Sequence, residues 1–141
     1  MKGKKSHNII KKGLEILISM THRGAVGADP LTGDGAGILI QMPDEFFRLE
    51  AKKLNINLPE LGKYAAGMIF LPQSEKEKKF CIKTIETEIK NAGQKILFWR
   101  DIPVNVNVIG KTAQNTKPII KQIFIEMPNN VKVGLDFERR L

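Results

Sequence analysis

A single cysteine, one tryptophan, one tyrosine and two histidines are all of those residue types in this chain of 141 residues. A lone thiol, Cys81, can neither close an internal disulfide nor build a thiolate zinc site, so neither a crosslink nor a metal is expected to hold the fold. Arginine is scarce as well, at five against eighteen lysines. The net charge of +8 is spread over several lysine groups, with glutamates interleaved between Lys76 and Lys90. No stripe alternates basic and aromatic residues, which argues for a solvated surface and against a nucleic-acid partner. Long apolar runs are absent too. The N-terminal stretch MKGKKSHNIIKKGLEILISM is broken by Lys11, Lys12, Gly13 and Glu15, so it reads as neither signal peptide nor membrane span. A soluble, cytoplasmic chain with no membrane partner is the expectation.

Apolar residues make up 42% of the chain, enough for one core, and the length predicts a single domain over residues 1–141. The spacing of Ile10, Leu14, Leu17 and Ile18 predicts an amphipathic helix from a Ser6 cap to about Met20. Gly37 to Met42 reads as a short apolar strand stopped by Pro43. A helix follows from about Asp44 to Leu54, with Asp44 and Glu45 in its first turn and Lys52 and Lys53 in its last. Lys63 to Leu71 reads as a buried strand. Ser74 with Glu77 forms a capping box for a helix running to about Ala92, with Gly93 as its stop and Cys81, Ile85, Ile89 and Ala92 on its buried face. Lys95 to Arg100 reads as a strand, Asp101 to Lys117 as a polar connection, and Pro118 to Met127 as the last strand. Val131 to Leu141 turns helical towards its end. The alternation of strand and helix by itself suggests a parallel sheet.

The most informative segment is His22 to Ile38, HRGAVGADPLTGDGAGI, with five glycines, two aspartates and one arginine. Glycine allows positive φ and close approach to the main chain, and a loop of this length in a small domain is usually functional. Its GDGAG stretch lacks both the G-x-G-x-x-G spacing after a strand and the lysine of a P-loop, so a phosphate cradle is disfavoured.

His22-Arg23-Gly24 followed by Asp34-Gly35-Ala36-Gly37-Ile38 resembles the signature of class II glutamine amidotransferases. The longer segment resembles the branch found at the N-terminus of glutamate synthase large subunits. Gln41-Met42-Pro43-Asp44, Gly67 to Pro72, Trp99 to Val104 and Gln122 to Ile125 continue the likeness in order. The resemblance implies an α+β fold: an incomplete αββα sandwich of the N-terminal nucleophile hydrolase type, with largely antiparallel sheets. It implies L-glutamine as substrate, attacked by an N-terminal cysteine whose own α-amino group is the base. An asparagine side chain and a glycine N–H would stabilise the oxyanion. Flavin mononucleotide (FMN) and an iron–sulfur cluster are implied in other domains, not in this chain. The remaining synthase domains and an electron-donor subunit are the implied partners.

The resemblance puts the nucleophilic cysteine upstream of Met1 and the substrate-holding and oxyanion residues beyond Leu141, so no catalytic or metal-ligating residue is expected here. The expectation is a catalytically incompetent chain that is marginally stable or self-associating. Arg23 and Asp34 are expected to brace the pocket-lining loop, with Gly24, Gly33, Gly35 and Gly37 serving its backbone geometry. Cys81, in mid-helix with its amine in a peptide bond, reads as structural. His22 reads as a loop brace and His7 as surface. Trp99 reads as core or interface packing, and Arg100 with Asp101 as a surface pair. A non-catalytic assembly module is the rival to the amidotransferase reading, and a nucleic-acid binder ranks last.

Overall fold

The computed structural model describes residues 6–20, 24, 31 and 35–128. In chain order the elements are α1 (His7–Ser19), α2 (Asp44–Lys53), β1 (Tyr64–Leu71), α3 (Glu75–Asn91), β2 (Lys95–Asp101), a 3-10 turn (Val106–Val108), α4 (Lys111–Thr116) and β3 (Ile119–Glu126). The chain divides into two compact units, Met1–Pro43 with Asn105–Thr116 and Asp44–Val104 with Lys117–Leu141. No helix among the described residues is long and apolar enough to cross a membrane.

The larger unit is built on a three-stranded antiparallel sheet in the order β1-β3-β2. The parallel sheet suggested by element order is thereby corrected: sequence order alone does not set strand direction. β3 is central and buries four consecutive residues, Gln122 to Ile125. Successive side chains of a strand point to opposite faces, so a run buried without alternation means both faces are covered.

On one face, Phe124 is fully buried, stacked on Phe98 at 4.3 Å and 7° and met edge-on by Phe47 of α2 at 5.1 Å. On the other face, Trp99 donates its Nε1–H to Glu86 Oε1 of α3 at 2.9 Å. Helices α2 and α3 therefore cover opposite faces. On the Trp99 face, the register sets Gly67 opposite Ile123. A Cβ on Gly67 would meet Ile123 Cγ2 at 3.3 Å, so the two strands approach closely there.

Helix ends follow local sequence closely. Ser74 accepts the Glu77 N–H at 3.5 Å, the first half of the capping box. Asn55 has φ +58, and the Asn55 and Ile56 amides bond the Lys52 and Ala51 carbonyls, a Schellman stop for α2. Gly93, at φ +73, ends α3 the same way, with the Gly93 and Gln94 amides on the carbonyls of Lys90 and Ile89. The buried face expected for α3 is shallower than its spacing predicts. Cys81, Ile85 and Ile89 are half-buried, Ala92 is exposed, and no α3 residue is fully buried.

In the smaller unit, Ser6 stands at the N-cap of α1 but its side chain makes no capping bond. α1 has no buried residue, and Ile18 is 72% exposed. The expected strand from Gly37 to Met42 is not paired in a ladder. Ile38, Leu39 and Ile40 are all exposed, Leu39 completely. β-propensity supplies extended residues but not the partner strand that a ladder requires.

The expected polar connection after β2 in fact holds the 3-10 turn and α4. The Asn105 side chain opens the turn by accepting the Asn107 N–H at 3.1 Å. The helix expected within Val131 to Leu141 lies outside the described residues.

Candidate functional site

Of the glycine segment, Arg23, Asp34, His22 and Gly33 lie outside the described residues. Gly24 is an exposed bend. Leu31 is exposed, and its carbonyl accepts the N–H of buried Gly110 at 3.2 Å. Gly110 in turn leads into α4, where its carbonyl accepts the Gln114 N–H at 2.9 Å. Gln114 Nε2 donates to the Ile109 carbonyl, also at 2.9 Å. This ties the glycine segment to the α4 entry within one unit.

Gly35 and Gly37 are exposed, and a Cβ on either would meet nothing within 4 Å. Neither has positive φ. Beside them lies open space.

Two charged networks in the larger unit were not foreseen from the sequence. Asp44 accepts the Tyr64 hydroxyl at 2.7 Å on Oδ1 and Arg48 Nε at 2.9 Å on Oδ2. Arg48 also donates to the carbonyls of Leu58 at 2.8 Å and Pro59 at 2.5 Å. One guanidinium thus fastens the loop after α2 to its first turn, and the Asp44 hydrogen bond raises the Arg48 pKa above its ordinary value. Burial, reinforced by the bond to Asp44, raises the Tyr64 phenol well above its usual value.

In the second network Arg100 pairs with Glu50 of α2 at 2.8 Å, donates to Gln122 Oε1 at 2.9 Å and lies 5.3 Å from the centre of the Phe46 ring. Asp101 instead pairs with Lys121 on β3 at 2.5 Å. The expected Arg100–Asp101 surface pair is therefore not formed. Adjacent strand residues point to opposite faces and cannot meet. Both networks are closed on the chain's own groups and join helix, loop and sheet.

Cys81 is half-buried within α3, where its backbone nitrogen belongs to the helix. No group of three or more His, Cys, Asp or Glu among the described residues is placed to hold a metal ion.

The model of the glutamine amidotransferases class-II matches residues 1–141, and the chain belongs to that family. The large chain of NADPH glutamate synthase from Bacillus subtilis (strain 168) is 50% identical over 141 residues, which is all of this chain and 9% of the relative. The corresponding chain from Azospirillum brasilense is 42% identical over 124 residues, covering 87% of this chain and 8% of the relative. Ferredoxin-dependent glutamate synthase 1, chloroplastic/mitochondrial, from Arabidopsis thaliana is 37% identical over 136 residues, 96% of this chain and 8% of the relative. The chain thus spans about a tenth of the length of the curated relatives it matches.

Proposed function

We propose that these residues are scaffold and pocket wall of a glutamine-hydrolysing unit that releases ammonia for glutamate formation. The observation that carries this reading is the family match across the whole chain, including the segment from His22 to Ile38. In this reading Arg23 and Asp34 brace the wall of the amide-cleaving pocket, with Gly24 at its entry bend. The open space at Gly35 and Gly37 is room for the reacting groups to approach the main chain. The complete αββα sandwich of the N-terminal nucleophile hydrolase type needs more strands than β1, β2 and β3, and the exposed apolar run Ile38-Leu39-Ile40 is material for one of them. One domain over 1–141, L-glutamine as substrate, FMN and iron–sulfur chemistry elsewhere in the synthase, an electron-donor partner and a cytoplasmic setting complete the proposal.

Cys81 is not the nucleophile in this reading. The family's chemistry uses a cysteine whose free α-amine takes the thiol proton, and the Cys81 amine is locked in a helix. The test is a chimera in which this chain replaces the matching residues of the Bacillus subtilis relative. The expected result is glutamine-dependent glutamate formation that survives Cys81→Ser and is lost with Arg23→Gln, while formation from free ammonia persists in both. A chimera that uses ammonia but never glutamine, or labelling of Cys81 by a glutamine-analogue electrophile, overturns the reading.

A further inference from the structure

The two outer strands of the sheet are unlike. Natural sheets guard a bare edge with charges or a bulge, because its free N–H and C=O groups invite another strand. β2 is guarded in both ways: it carries Lys95, Arg100 and Asp101, and its register shifts between Ile96 and Phe98. β1, YAAGMIFL, has no charge, no proline and an unbroken register over Tyr64–Leu71, and among the described residues no strand pairs its outer side. The ladder fixes which groups face outwards. The Met127 N–H donates to the Lys63 carbonyl at 2.8 Å, and the Ile102 N–H to the Ile120 carbonyl at 3.3 Å. Odd-numbered residues of β3 therefore bond β1 and even-numbered ones bond β2, since bonding directions alternate along a strand. With Tyr64 opposite Glu126, it follows that Ala65, Gly67, Ile69 and Leu71 turn their amides and carbonyls to β3, whereas Tyr64, Ala66, Met68 and Phe70 turn theirs to the open edge. The side chains of the outward set share the Phe124 face, because Ala66 stands opposite Phe124. α2 reaches the Tyr64 end of that face through Asp44, and Met68 and Phe70 are left 47% and 65% exposed.

We propose that β1 binds a second copy of this chain, edge to edge and antiparallel about a two-fold axis at Gly67, so that the two sheets become one continuous sheet. The strand's own pattern selects that occupant. Of the possible two-fold registers, only the one centred on Gly67 gives every outward amide and carbonyl a partner: Ala66 stands opposite the partner's Met68, and Tyr64 opposite the partner's Phe70. Gly67 then falls in a closely spaced, non-bonded pair and brings no side chain to it. Strands paired in this way keep matching faces on one side. Each copy's bare Phe70 therefore lies beside its partner's Tyr64, at the end that α2 covers. Self-pairing of an edge ordinarily sets like charges against each other, and β1 has none to set. The contact is isologous and closed. The outer strands that remain are the two guarded copies of β2, so growth stops at the dimer.

The pairing is independent of glutamine hydrolysis, and its test reads association and amide exchange only. The 141-residue protein carries Leu39→Lys, which takes the exposed apolar run of the other unit out of the comparison. Sedimentation velocity over a concentration series is combined with residue-resolved hydrogen exchange at its dilute and concentrated ends. The expected result is a monomer–dimer equilibrium with no larger species. The Ala65, Gly67 and Ile69 amides are protected at both ends, whereas the Ala66, Met68 and Phe70 amides become protected only in the dimer. Phe70→Lys puts a charge on the edge, and is expected to weaken dimerisation by about tenfold or more. Its melting temperature in dilute solution stays that of the parent, because the Phe70 ring is largely exposed in the monomer. A protein that is monomeric at every concentration overturns the proposal, as do species beyond the dimer. So do outward amides that exchange freely in the dimer or are already protected in the monomer, and dimerisation untouched by Phe70→Lys.

Discussion

Arg100 and Glu50 meet at 2.8 Å with side chains only 13% and 16% exposed, joining β2 to α2 across one face of the sheet. Lys53, hydrogen-bonded to the same carboxylate, and then Arg100 hold Glu50 below its ordinary value near 4.5. The folded state therefore binds the Glu50 proton less tightly than the unfolded chain does. The stabilisation is fully present above about pH 4.5 and is lost as pH falls through the lowered folded value. Melting temperature measured from pH 7 downwards is expected to fall in that window and to fall less steeply in Glu50→Gln. A residual slope will remain, because Lys78 lowers Glu75 in the same way. Identical acid profiles for parent and Glu50→Gln would contradict the pair's role.

Tyr64 sets the opposite limit. Its phenol is buried and donates to Asp44, which raises its pKa above the ordinary value of 10.0. An acid with a raised folded pKa stabilises the fold below its unfolded value. That contribution is lost as pH rises from about 10 through the folded value. Tyr64→Phe removes one hydrogen bond and leaves the Asp44 oxygen with one donor fewer. It is expected to cost about 1 kcal/mol at neutral pH and to flatten the alkaline limb of the melting profile. Chemical denaturation of both proteins at pH 7 and above pH 10 measures both effects.

Phe124 is the residue on which the core turns. It has no exposed surface and touches Phe47, Phe98 and Tyr64 from three different elements. Phe124→Ala leaves a ring-sized void between strands that backbone pairing holds in place. The expected loss is about 3–5 kcal/mol, read as a shift in denaturation midpoint, against less than about 1.5 kcal/mol for Phe124→Leu if neighbouring side chains repack. A small loss for Phe124→Ala would mean that the sheet collapses onto the gap.

Much of the larger unit was legible because its signals are local. Ser74 with Glu77, Gly93 after the last turn, and acids then lysines along α2 all act within a few residues of themselves. Strand direction was not legible, since β1 and β3 are distant in sequence and only their pairing defines it. The Arg100–Glu50 bond is equally non-local, and the expected Arg100–Asp101 pair fails because the strand runs one residue further, through Asp101, so that the two side chains alternate across the sheet. α4 was missed because KTAQNT has no apolar period, and the Gly110 amide on the Leu31 carbonyl precedes it. In the candidate site, Arg23 and Asp34 carry the sequence signal, and the described geometry is confined to Gly24, Leu31 and the open surroundings of Gly35 and Gly37.

The apolar run before α2 yields the last prediction. Leu39 is fully exposed and flanked by exposed Ile38 and Ile40, in a segment without ladder partners among the described residues. Consecutive exposed aliphatic residues in an unpaired segment promote association between copies. Leu39→Lys in the 141-residue protein is therefore expected to lower self-association in sedimentation velocity over a concentration series, with the melting temperature unchanged because no buried contact is lost. In the chimera with the Bacillus subtilis relative, the strand proposed for this run would bury this residue, and the same substitution should then lower stability by about 2 kcal/mol or more. A substitution harmless in both settings would mean that no sheet forms over this run. One that unfolds the 141-residue protein would mean that Leu39 is already buried there.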